Sequence, residues 1–381
     1  DLEEAISKVI GEFLERYPLT LYTRGNLVRA SIKNLTASKE RFLDINDVAG
    51  FAAWQKELHT YKQFDDSSNF FWEEGKELIS GQRALIPAQL VFWNYNTLQD
   101  PPEPYLRQPN TNGAAGHFTR TEAILAGIYE NIQRDAFLIH WLNNVPPPRI
   151  TNNTIENAAL QDALLQFKRY GFEVVLLNTT LDCDVPSCAC VLIDMSGRGP
   201  KIAIGGGCGP SIEHALMRSI TEAHSVYHWL RTQPETPATL PAEYVPFRDP
   251  AIRQDSRLLL WGDEAMFPRF TPFISGKEQP CSEASSITYP ASFATPEEEL
   301  HRVLETFQKK GKGYEVYVYE AQHRILKTLG YSSVKVVIPA LVPLYLNEQD
   351  APLGSTRLRT VPLEMNLNAS KEFNPWPHPF P

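Results

Sequence analysis

Apolar residues recur at helical spacing in three long stretches, and those stretches set the plan of the chain. Asp1–Tyr17 reads as a helix closed by Pro18, Thr121–Asn143 as a second closed by Pro146-Pro147-Pro148, and Ser211–Thr232 as a third. Ile155–Tyr170 forms a further helical stretch, and Thr295-Pro296-Glu297-Glu298 caps another that runs to Lys310. Between them lie short apolar runs rich in Val, Ile and Tyr, which read as strands: Leu85–Phe92, Phe172–Asn178, Cys188–Met195, Lys201–Gly205, Tyr314–Tyr319 and Ser332–Ala340. Leu19–Ser38 reads as strand and loop, and Asp47–Tyr61 as a short helical region. A proline-rich loop at Pro101–Gln108 leads to a second loop at Asn112–His117, and Gly205–Pro210 reads as a loop feeding the third helix. Alternating strands and long helices define a mixed α/β (α+β) class.

The pattern fails between residues 233 and 294, where prolines and irregular sequence predict a peripheral insertion with one short helix near Asp249–Leu260. A proline-rich tail occupies residues 374–381. We expect a single domain over residues 1–381. The chain opens inside a helix without an initiator methionine, so its N-terminal start is expected to lie upstream.

Composition narrows the function classes. Hydrophobic residues make up 43% and charged residues 21% of the 381, the proportions of a soluble globular protein. The net charge of −9, without a basic aromatic-studded stripe, argues against nucleic acid as a partner. No apolar run is long enough to span a membrane. Five cysteines at irregular spacing exclude a disulfide scaffold. Cys183, Cys188 and Cys190 lack a fourth ligand for zinc, and Ser-Cys-Ala-Cys-Val-Leu-Ile reads as a buried strand. Reduced thiols without a signal peptide predict a cytoplasmic protein.

The polar faces of the three helices carry the candidate chemistry. Glu12, Glu15 and Arg16 share one face, as do Glu130, Gln133 and Arg134; Arg218, Glu222 and Ser225 share another. Taken singly, Glu-x-x-Glu-Arg is an ordinary exposed face with a local ion pair. Its recurrence changes the reading. Carboxylates brought within ~4 Å repel by roughly 4 kcal/mol at an effective dielectric of about 20, so a cation must sit between them. Magnesium is hard and oxygen-loving, and the neighbouring arginines suit the phosphates it brings.

Other features are weaker. Gly205–Pro210 offers backbone amides to a phosphate but lacks the Lys-Ser/Thr of a P-loop. His117 suits either a nucleotide pocket or a loop cap, and Glu122 a second layer of the site or a helix-start acid. His224 and His228 have ligand spacing without an acidic third partner.

In order, these pieces resemble the YcaO family. The resemblance rests on Gly11-Glu12-x-x-Glu15-Arg16, Asn112-Gly113-x-Ala115-Gly116, Glu122-Ala123 and Glu130-x-x-x-Arg134-Asp135-Ala136. It continues through Gly205–Gly209, Ala215-Leu216-x-Arg218, Thr221-Glu222 and Val337–Pro343. It implies a YcaO-like fold with an ATP site between long helices and sheet. Glu12, Glu15, Glu130 and Glu222 would hold magnesium, while Arg16, Arg134, Gly116 and Arg218 would contact the nucleotide. The implied reaction phosphorylates a peptide backbone amide oxygen and turns Cys, Ser or Thr into thiazoline or oxazoline, within the making of a bacteriocin-type ribosomal peptide. In the azoline-forming branch a Pro-x-Pro-x-Pro terminus reaches the active site; Pro377, Pro379 and Pro381 match it. His378 reads as a packed residue or a proton-transfer aid.

Three positions depart from the family pattern: Lys8 stands for serine, Gln133 for a second glutamate and Ser225 for glutamine. The alternatives are therefore thioamide formation or a non-catalytic scaffold with the same fold. The implied partners are a precursor peptide, a leader-binding ubiquitin-activating-like protein or upstream domain, and a flavin dehydrogenase, with the chain itself in an oligomer.

Overall fold

A computed structural model describes residues 2–233, 239–250, 252–285, 289 and 292–380. The chain forms two compact units, one of Asp1–Asn131, Phe293–Pro343 and Pro352–Thr356, the other of Ile132–Ser292, Leu344–Ala351 and Arg357–Pro381. Elements are numbered along the chain.

The first unit holds α1 (Leu2–Arg16), α2 (Ile32–Ala37), α3 (Ala53–Leu58), α4 (Ala88–Val91), the first half of α5 (Arg120–Leu142), α11 (Pro296–Lys310) and α12 (Arg324–Leu329). Its antiparallel sheet comprises β1 (Val28–Ser31), β2 (Asn69–Glu77), β3 (Arg83–Pro87), β4 (Ala114–His117), β10 (Tyr317–Glu320) and β11 (Ser332–Val337). The order is β1-β2-β10-β11-β4, with β3 on β2. The run Leu85–Phe92, expected as one strand, divides at Pro87, which lacks an N–H for the ladder, and continues as the single turn α4. The expected loop at Asn112–His117 instead supplies β4, paired with β11 through Ala114↔Lys335 and Gly116↔Ser333. Small residues hid this strand in the sequence; a Cβ on Gly116 would lie 2.6 Å from Tyr331 Oη. Period-2 alternation puts Ser333 and Lys335 on one face of β11, and Ser333 Oγ donates to the Glu15 carbonyl at 2.8 Å. That bond anchors the end of α1 over β11, while Ile6, Val9, Ile10 and Phe13 of the helix face solvent.

The second unit contains α6 (Ala158–Arg169), α7 (Ile212–Arg231), α8 (Gln254–Gly262), α9 (Phe267–Phe270), α10 (Cys281–Ala284), α13 (Arg357–Glu364) and the rest of α5. Its sheet runs β8 (Ile202–Cys208), β7 (Ser187–Asp194), β6 (Phe172–Asn178), β5 (Arg149–Ile150), β9 (Glu278–Gln279), antiparallel except for β5 with β9. Every residue of β7 is buried, so Cys188 and Cys190 are core side chains as expected.

Glycines 205–207 lie inside β8 rather than in the loop expected at Gly205–Pro210. A Cβ on Gly205 would fall 2.1 Å from the Ala223 amide nitrogen of α7, and one on Gly207 would fall 2.0 Å from the Ala215 carbonyl oxygen. On the opposite face a Gly206 Cβ would strike the Gln133 amide and the Phe380 ring at 2.3 and 2.4 Å. The glycines let β8 be covered closely on both faces, which overrides their turn preference. Part of the stretch 233–294, read as peripheral, packs inside this unit: Arg257, Trp261, Phe270 and Phe273 are buried. Among the described residues no helix is long and apolar enough to cross a membrane.

Candidate functional site

In the first unit the acidic residues of α1 and α5 meet. Glu12 pairs with Arg16 at 2.9 Å in the i, i+4 register. Glu15, a turn nearer the sheet, is pushed up to about 8 by burial, by the nearby Glu130 and Glu12 charges, and only partly relieved by Arg16 and the Gly116 amide. Glu130 Oε2 accepts from the Gly113 amide at 2.8 Å, which turns this carboxylate toward the β4 strand. Gly113 adopts φ +77, and a Cβ there would sit 2.1 Å from the Val336 carbonyl oxygen. The Asn-Gly-x-Ala-Gly motif is thus a backbone cradle for the two half-buried acids.

Two buried cations lie beside these acids, and the sequence reading missed both. Lys335 donates to the Asn110 carbonyl at 2.6 Å. It is held down to about 7 by burial and by Arg107, against the pull of Glu130 and Glu15. Burial alone lowers Arg107, to about 10. A lysine flanked by valines in a strand was the one available signal; Arg107, in a proline-rich loop, gave none.

In the second unit Glu222 of α7 is strapped to β8. Its Oε2 accepts from the Gly206 amide at 2.5 Å and from Gln133 Nε2 at 3.3 Å, and its Oε1 lies 3.9 Å from Arg134 Nη2. Gln133, the departure noted in the sequence, therefore supplies a donor to Glu222. Arg218, one turn before Glu222, is exposed.

The tail belongs to this same unit. An extended proline-rich segment leaves its carbonyls without internal partners, and side chains capture them here. Tyr244 donates to Pro375 O, Trp141 to Trp376 O, Trp261 to Pro377 O and Arg257 to Phe380 O, at 2.9, 3.1, 2.9 and 3.5 Å. Phe380 is 0% exposed, tilted against Phe137 at 4.3 Å and beneath the Arg134 guanidinium at 4.7 Å. Pro377 and Pro379 are buried between these anchors; Pro381 lies outside the described residues. His378 is buried against the Tyr345 carbonyl at 2.9 Å and held well below the usual imidazole range by burial and Arg257. It is a packed residue, fully enclosed in the second unit.

The weaker candidates resolve as structural. His117 Nδ1 lies 2.9 Å from Glu122 Oε2, which also accepts from the Thr119 hydroxyl at the start of α5, a loop-capping arrangement. His224 and His228 pack edge to face at 4.8 Å. Asp135, Asp182 and Cys183 cluster closely enough to suggest a metal. Arg357 already fills that place, with Nη2 bonded to Asp135 and to Asp182 at 2.5 and 2.8 Å.

Hard carboxylate oxygens that repel one another, beside arginines, are the donor set of a protein that handles a divalent cation with an anionic ligand. The Glu15–Glu130 pair fits magnesium on that chemistry. The chain belongs to the YcaO family: residues 1–342 match the family model described as YcaO cyclodehydratase, ATP- and Mg2+-binding. ATP and Mg2+ are accordingly the cofactors of its family.

Relatives place this on a wider map. An uncharacterised protein in the tfuA 3' region of Rhizobium leguminosarum bv. trifolii is 26% identical over 209 residues, 52% of this chain and 46% of that protein. An uncharacterised protein of Methanothermobacter thermautotrophicus is 32% identical over 161 residues, 42% of this chain and 41% of its own length. The matches thus cover less than half of each curated relative. Among solved structures, a heterocyclase in complex with substrate and cofactor superposes with a TM-score of 0.74 at 19% identity, covering 97% of this chain and 47% of that one. The heterocyclase TruD gives 0.70 at 20% identity, covering 100% and 51%. YcaO from Methanopyrus kandleri bound with AMPPCP and Mg2+ gives 0.60 at 17%, covering 87% and 74%. These likenesses establish the mixed helix-and-sheet YcaO fold expected from the sequence.

Proposed function

We propose that the chain is the ATP-dependent cyclodehydratase component of a system that forms thiazoline or oxazoline rings in a ribosomally made peptide. The observation that carries this reading is the tail: Phe380 is seated 4.7 Å from the Arg134 guanidinium, four residues along α5 from Glu130. Glu12, Glu15, Glu130 and Glu222 are assigned to magnesium, and Arg16, Arg134, Arg218 and the Gly116 backbone to the nucleotide. Bound ATP with magnesium supplies the phosphoryl group that makes an amide oxygen a leaving group. The chain's own contribution is positioning and charge. Burial keeps Glu15 protonated near neutral pH until a cation draws the proton off. The Gly113 and Gly206 amides hold the Glu130 and Glu222 carboxylates in fixed directions. Pro377 and Pro379 lie in the buried tail, and together with Pro381 they are assigned to completing the site.

A precursor peptide is the substrate in this reading. A leader-binding ubiquitin-activating-like partner or upstream domain delivers it, a flavin dehydrogenase oxidises the rings, and the chain works in an oligomer. The test is mass spectrometry of a Cys-, Ser- and Thr-containing precursor incubated with the chain, its delivery partner, ATP and Mg2+. Loss of one water per modified residue is expected. Exchange of an amide oxygen for sulfur, dependent on added sulfide, would replace the reading with thioamide formation. Partner-dependent assembly without any ATP use would make the chain a scaffold.

A further inference from the structure

Beneath the tail, the second unit buries a set of polar atoms that no described residue satisfies: Arg257 Nε, Tyr345 Oη and both carboxylate oxygens of Glu348. Arg257 and Glu348 are 0% exposed and Tyr345 2%. The three residues belong together. Arg257 Nη1 donates to the Tyr345 and Leu346 carbonyls at 3.3 and 3.2 Å, and its guanidinium lies 6.0 Å from the Tyr345 ring. The Glu348 charge acts on both Arg257 and Tyr345, yet among the described residues Arg257 and Glu348 make no direct ion pair. Burial pushes Glu348 up to about 7 against the pull of Arg257, and polar groups buried this way are costly unless something joins them. One N–H donor, one hydroxyl and two carboxylate acceptors match the two to four partners that a buried water requires. The guanidinium already provides the positive charge, which disfavours a metal.

We propose that Arg257, Tyr345 and Glu348 form a water-bridged latch that sets the position of the tail. The inference rests on the reading above only in giving the tail a part in the reaction. The remaining Arg257 nitrogen, Nη2, reaches the Phe380 carbonyl at 3.5 Å, and the Tyr345 carbonyl meets His378 Nε2 at 2.9 Å. Glu348 aims the guanidinium, and the guanidinium aims Phe380 at Arg134. These are positioning residues; none contacts a reacting atom.

The experiment is hydrogen exchange by mass spectrometry on the full chain, followed in the peptide spanning residues 371–381. Glu348→Leu should speed exchange there about tenfold while β6–β8 peptides keep their rates. Glu348→Gln retains an acceptor and should stay within about twofold of wild type. If Glu348→Leu fails to fold, Tyr345→Phe, which removes only the hydroxyl, gives the same comparison. A tail that stays protected in these variants, or one loosened equally by Gln and Leu, overturns the latch. A loosened tail with unchanged ring formation leaves the latch standing and overturns instead the tail's part in the reaction. With both correct, the loosened variants lose kcat while KM for ATP holds.

Discussion

The Arg134 guanidinium lies over the ring of Phe380 at 4.7 Å, so a residue of α5 assigned to the nucleotide shares a contact with the penultimate residue of the chain. The ring is otherwise enclosed by Phe137 and by the surface opened by Gly206. Phe380→Leu keeps an apolar side chain and removes the π face. It should cost about 1 kcal/mol of stability and lower ring formation by roughly tenfold through misplacement. KM for ATP should hold. Full turnover in Phe380→Leu would show that the ring face has no part in the reaction.

Glu15 gives a pH dependence whose sign is fixed. Its folded pKa of about 8 stands above the ordinary 4.5, so the folded form keeps a proton that the unfolded form releases. The stability this provides is complete below pH 4.5 and is lost as pH rises toward 8. In a chelator, Glu15→Gln should therefore match wild type at pH 4 and exceed it at pH 9 by roughly 1–3 kcal/mol. Adding magnesium should stabilise wild type more than the variant. Denaturation midpoints at the two pH values, with and without metal, check both statements.

Gly205→Ala should be severely destabilising, by about 3 kcal/mol, because its Cβ meets the backbone of α7, which cannot rotate away. Gly206→Ala meets side chains instead. It should cost less stability, yet disturb Gln133 and Phe380 and so lower activity more per degree of Tm lost. Thermal melts set beside turnover decide between them; equal behaviour would contradict the packing described for β8.

Gln133→Glu tests the departure in the acidic set. The change removes a donor to Glu222 and adds a like charge. Without metal the variant should lose about 1–2 kcal/mol of stability. With magnesium it should bind the ion about tenfold more tightly, an added carboxylate being a better ligand than an amide. Calorimetric titration with magnesium and a non-hydrolysable nucleotide reads this directly; weaker binding would mean that position 133 does not face the ion.

The long helices were legible because burial of one face imposes a period that no competing pattern masks: Thr121–Asn143 was expected, and Arg120–Leu142 forms α5. The strand Phe172–Asn178 was read to the residue. What failed was glycine and alanine. In β4 and β8 their smallness serves close backbone approach, whereas in sequence it imitates a turn. The acidic residues were found by helical spacing, but Lys335, Arg107 and Arg257 were not. Lys335 and Arg257 find partners in segments far along the chain, and no local period records such pairings.

All five cysteines lie in the second unit, and all are buried with free thiols. Burial also lifts Cys188, Cys190, Cys208 and Cys281 away from the reactive thiolate. An alkylating reagent therefore meets a thiol only when that half of the molecule opens. The labelling rate is a ready gauge of its breathing, against which every substitution in the tail's seat can be calibrated without any assay of catalysis.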